Sequence, residues 1–233
     1  MLKDQPYLRR LLLIGTPLLT GILLLFHPLP EAAETVQMDQ LADIDWYTLM
    51  APIAEQFLAV HVLFALALLG LTVIVLLDGV PGLAAKISRV CAFLFAVTYI
   101  MYETIIGTVT ALLVRGAAAL PPDEQAVIGA AIHRNFVDPI LGDLPSVVSI
   151  IAWLSWLLAV TLAAIALRRL GKPRLPCILL GLSFIFISHA SLLGPLGMLL
   201  FASAVVALER SGSPLITAES TPIRSSWIIK ITI

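Results

Sequence analysis

Charge is scarce in this chain of 233 residues: Lys, Arg, Asp and Glu make up 12% of it, about half the share of an average soluble domain. Most water-soluble folds are thereby excluded, because 14 basic and 15 acidic residues gathered into short stretches cannot coat a core of this size. An excess of one sign is missing too. The formal net charge of −1 leaves no basic stripe to neutralise phosphates, which removes nucleic acid as a partner. Cysteine is limited to Cys91 and Cys177, too few for a disulfide framework and without the pairing or spacing of a zinc finger, so both are expected to be free helix thiols. There is no HExxH, GxSxG, P-loop or Rossmann glycine fingerprint, and no lysine inside an apolar run to carry a Schiff base. GxxxG-like spacing, internal repeats and inverted pairs of broken helices are also lacking, so a common secondary-transporter plan is not signalled.

What the chain has is apolar residue, 60% of the total, with a mean hydropathy of +1.02. A hydrocarbon core of about 30 Å takes about 20 helical residues to cross. Runs near that length lie at about 11–27, 53–77, 90–114 and 145–167. A further run, 175–208, is too long for one crossing and is interrupted by SHASLLGPLG, where Ser188, His189, Gly194, Pro195 and Gly197 supply turn chemistry; it divides into 175–189 and 195–208 with a tight hairpin between them. The fold class is therefore an all-α integral membrane protein. Residues 1–210 are expected to form a single bundle of six transmembrane helices, and 211–233 a mobile cytoplasmic tail.

The charges support the same count. Lys3, Arg9, Arg10, Lys86, Arg89, Arg168, Arg169, Lys172, Arg174, Arg210, Arg224 and Lys230 all fall on one side of a six-helix arrangement, which leaves only Arg115 and Arg134 on the other. Since basic residues of short loops are retained in the cytoplasm, both termini are expected there, in a plasma membrane of bacterial type. The N-terminal run resembles a secretory signal, but the following Ala32-Ala33 lacks an A-x-A pattern, so retention is expected. On the outer side, Trp46 and Tyr47 suit the headgroup level. Residues 121–137 open with two prolines and two acids, then place Val127, Ile128, Ala131 and Ile132 at helical spacing, which predicts a short interfacial helix.

All four histidines fall in the outer half of this arrangement. His27 ends the first run, His61 lies inside the second, His133 is on the interfacial helix, and His189 is at the hairpin. Glu103 is the one carboxylate well inside a predicted span, and an intramembrane acid is costly enough to mark a functional site. It lies at the same predicted depth as His61 on the next helix. Tyr99, Glu103, Gly107 and Thr110 make one helical stripe with Tyr102 at its margin; Ser146, Ser149, Trp153 and Trp156 make another.

These residues predict a polar cavity open to the outer face, walled by His61, Glu103, Tyr99 and Tyr102 and rimmed by His27, His189, His133 and Asp138. Two functions suit it. In the first, His27, His61 and His189 hold a transition metal such as zinc, and Glu103, with Tyr99 and Tyr102, serves catalysis on a lipid or other amphipathic substrate. Haem suits the pattern less, because histidine pairs on facing helices in two tiers are missing. In the second, Glu103 and His61 are the titrating pair of a small-solute or proton-coupled transporter, or of a ligand-binding membrane module. A purely structural Glu–His contact that knits two helices together is the plainer alternative. The lipid bilayer is the one partner common to all of these.

Overall fold

The computed structural model describes residues 5–27, 45–67, 69–137, 143–187 and 191–211, with the side chains of residues 134–137 and 143–146 excepted. His189, Asp138 and the tail beyond residue 211 therefore lie outside the described residues. Those described form seven helices and no strand: α1 (Pro6–Leu25), α2 (Trp46–Leu76, described on either side of residue 68), α3 (Leu83–Ala117), α4 (Pro122–Val137), α5 (Asp143–Arg169), α6 (Arg174–Ile187) and α7 (Leu193–Arg210). Five of them, α1, α2, α3, α5 and α7, are long and apolar enough to cross a membrane; α6 is apolar but shorter.

The helices begin upstream of the apolar runs because polar residues complete their first turns. Pro6 opens α1, in the first turn where its missing N–H costs nothing. Asp45 opens α2: its Oδ1 accepts from the amides of Tyr47 and Thr48, both at 3.1 Å, and its Oδ2 accepts from the Thr48 hydroxyl at 2.6 Å. Trp46, one residue on, packs inside the protein. It is buried with Met50, Phe57 and Ile132 beneath α4. Gly82, at φ +97°, turns the chain from α2 into α3, and Arg89 Nη1 donates to the carbonyls of Leu77 (2.8 Å) and Val80 (3.1 Å) in that turn.

The expected hairpin at 188–197 is shorter than its turn residues imply. Gly194, Pro195 and Gly197 all lie in the first turns of α7, where proline is tolerated. Gly197 is there for packing, since a Cβ would collide with the Phe186 backbone. Gly70 likewise meets Ala92 and Ala96. Close helix approach is thus achieved at single glycines facing small or backbone surfaces, without a GxxxG repeat.

Successive helices run antiparallel and close into a ring in the order α1, α2, α3, α5, α6, α7 and back to α1. The pairing of α3 with α5 is the most extensive; within it Ser88 donates to the Ala159 carbonyl (2.6 Å), and Phe95 packs on Trp156 with centroids 4.7 Å apart. Ring closure is marked by Gly21 against Met198 and by an ion pair between Arg10 and Glu209 at 3.7 Å. The helix α4 leaves the ring and lies across the start of α2 and the end of α3. Outward faces carry Leu18, Leu19, Ile22, Val62, Leu63, Phe93, Val97 and Leu158 in the open, an apolar surface suited to lipid. The expected second stripe divides: Trp156 is fully buried and Trp153 is 40% exposed on that outer surface.

Candidate functional site

Helix α3 changes character where its polar residues begin. After Tyr102 the α-helical ladder widens into a π-helical segment, Glu103–Val109, before resuming at Thr110. Such segments are rare and concentrate at functional sites. This one packs on α2. The stripe anticipated along α3 is real: Tyr99, Glu103, Gly107 and Thr110 are all buried on one side.

His61 reaches that side from α2 and is 3% exposed. Its ring lies directly over Gly107, where any Cβ would overlap the imidazole, so glycine is what admits the ring. Its Nδ1 is 2.7 Å from the Phe57 carbonyl oxygen. A carbonyl only accepts, so Nδ1 carries a proton and donates it, and in neutral imidazole Nε2 is then the lone-pair nitrogen. Nε2 faces Glu103 Oε2 at 3.6 Å, and Glu103 is wholly buried.

A buried carboxylate opposite a lone pair is an uncompensated charge in a poorly polarisable surrounding. One added proton resolves it in either of two ways: the Glu103 hydroxyl donates to Nε2, or an Nε2–H donates to the carboxylate. At 3.6 Å the pair stands about 0.5 Å beyond ordinary hydrogen-bond length. The Tyr99 hydroxyl bears on the same carboxyl from its own helix, in a looser approach than ideal geometry, since neither Glu103 oxygen completes a standard hydrogen bond with a described residue. Thr110 Oγ1, two turns further along, is also buried without a hydrogen-bond partner among the described residues. A row of underused polar atoms inside an apolar bundle is what a proton-handling or ligand site requires and what a packing contact avoids.

His27 joins the pair from α1. It follows the last turn of that helix, where Gln56 Nε2 donates to the Phe26 carbonyl at 2.9 Å and so ties the end of α1 to α2. The His27 ring meets His61 edge to face, with centroids 5.0 Å apart, and Phe57 and Phe64 surround both. His27, His61, Glu103 and Tyr99 are therefore contiguous across α1, α2 and α3. Tyr102 is half-buried beside them.

His133 is elsewhere, on α4 against Trp46 at 6.1 Å, in the smaller cluster nearer the end of the bundle. No three His, Cys, Asp or Glu side chains gather as metal donors among the described residues, and His189 lies outside them. The Phe57 carbonyl and the π-helical segment were not anticipated. Their only advance signal was Gly107, a small residue set in a polar stripe.

Comparison with protein-family models, curated proteins and solved structures gives no match to this chain. The site itself has to supply the functional reading.

Proposed function

We propose that this is a multi-pass membrane protein in which Glu103 and His61 bind and release one proton, with His27 as the link to the nearer face, and that this step is coupled to transport or binding of a small solute. The observation that carries the reading is the fully buried 3.6 Å approach of His61 Nε2 to Glu103 Oε2, with Nδ1 already committed to a backbone carbonyl. The proton has two hosts, both buried inside an apolar bundle, which is the arrangement used where a side chain must titrate inside a bilayer. Tyr99, Tyr102 and His27 are the other titratable groups that face the pair.

In the same reading α6 completes a sixth crossing, both termini are cytoplasmic, and α4 lies in the outer interface. The distribution of basic residues supports this. Arg10, Lys86, Arg89, Arg168, Arg169, Arg174 and Arg210 fall at one end of the antiparallel ring and Arg115 at the other. A zinc site would need further donors at His27 and His61 that the described residues do not bring there.

Infrared difference spectroscopy on the lipid-reconstituted protein tests the proposal without knowledge of the solute. Titrating pH should reveal a carboxylic-acid carbonyl band that disappears in Glu103→Gln and moves in His61→Gln. A pH-invariant spectrum in the wild type would overturn the proton reading. Bound metal that is lost in His61→Ala would replace it with the metal reading.

A further inference from the structure

Between α1 and α7, on the outward surface of the ring, runs a groove of about 660 Å³. Ile14 and Leu18 form one wall; Leu199, Ala202 and Val206 form the other, the alanine leaving the depth. Arg210 closes one end. The span from Leu199 to Arg210 is about 16 Å by helical rise, comparable to much of one acyl chain in a leaflet about 15 Å deep. From this geometry we infer that the groove holds an acyl chain of an anionic phospholipid, with the phosphate at Arg210. The inference rests on the membrane reading of the fold and is independent of the Glu103–His61 pair.

Charge selects the occupant. Arg210 is exposed and makes no ion pair among the described residues. Arg10, one helix away, is mostly exposed and shares Glu209 at 3.7 Å. Arg9 adds a further cation to the same end, its Nε and Nη2 buried without a hydrogen-bond partner among the described residues. Among the described residues, three guanidinium groups stand against one carboxylate at this end, which favours a phosphate diester over a neutral headgroup. The chain's own tail is a poorer fit, because residues 212–233 carry Arg224 and Lys230 against Glu219 alone and bring more positive charge to an already positive end.

Native mass spectrometry of the full chain, titrated with phosphatidylglycerol and with phosphatidylcholine of the same acyl chains, tests this. Phosphatidylglycerol should be retained preferentially, and Arg210→Gln should reduce that preference about fivefold. Ser203→Trp, which fills the groove from an exposed position, should lower retention of both lipids. Unfolding of both variants in detergent at the wild-type temperature would separate these effects from misfolding; should either unfold early, a photo-reactive residue at Ser203 supplies the readout. It should form adducts with phosphatidylglycerol. Equal retention of the two lipids, an unchanged preference in Arg210→Gln, or Ser203 adducts to the tail or to a second copy would each overturn the inference.

Discussion

Gly107 has room for a histidine ring only because it has no Cβ. Gly107→Ala should therefore push His61 off the carboxyl, reduce stability by about 1–3 kcal/mol through overpacking, and remove the pH-dependent infrared band. Gly116, on the same helix with open space where its Cβ would be, is the matched control. Gly116→Ala should stabilise by about 0.5–1 kcal/mol, with the band intact. Asp45 offers a separate test at the mouth of α2. The Thr48 hydroxyl, then the Thr48 and Tyr47 amides, hold its carboxyl below its ordinary value of 3.8, against a small opposing effect of burial. A group depressed in the folded state stabilises above its unfolded value and loses that contribution as pH falls through the folded one. Asp45→Ala should cost about 1 kcal/mol at neutral pH, by analogy with other N-caps, and the difference from wild type should shrink towards pH 3 and below in chemical denaturation. Residue identity alone pointed to Glu103 and His61, since a buried acid and a histidine at matching depth are conspicuous in an apolar chain. It could not point to the Phe57 carbonyl, whose role arises from where a backbone group ends up.

Two of the described helices carry π-helical turns, for different reasons. In α1 the widened turn Leu11–Gly15 precedes Pro17, which has no N–H for the carbonyl four residues back and whose ring would strike it. In α3 no proline is present between Glu103 and Val109, and the widened segment coincides with the one buried carboxylate among the described residues. Removing one residue there, Thr104 on the exposed side, should restore α-helical register and turn Gly107 and Thr110 away from His61. The expected result is unchanged helix content by circular dichroism with loss of the pH-dependent band; a retained band would show that the π segment is incidental. Helix existence was legible from the lengths of apolar runs. Helix ends were less so, since Lys86 and Arg89 belong to α3 but lie outside any apolar window.

For the whole molecule, the open question of six crossings reduces to the short helix α6. Single cysteines replacing Lys86, Asp123 and Ser211, on a background without Cys91 and Cys177, report it by impermeant labelling of intact vesicles. Lys86→Cys and Ser211→Cys should react from the same side and Asp123→Cys from the opposite one. Labelling of the first two from opposite sides would mean that α6 does not cross. The ring order bears on the site as well, because closure of α1 onto α7 and α2 brings His27 within 5.0 Å of a residue on a different span.

The sequence by itself determined the solvent and the class of fold, because hydropathy is a property of composition and run length and needs no neighbours. It also determined which end is basic, since charge position follows directly from chain order once helices alternate. Tertiary structure alone decided which histidines meet Glu103. His61 does, His27 reaches the pair only through the His61 ring, and His133 packs elsewhere on Trp46, because convergence depends on ring order, on helix rotation and on one glycine, none of which leaves a periodic mark on the chain.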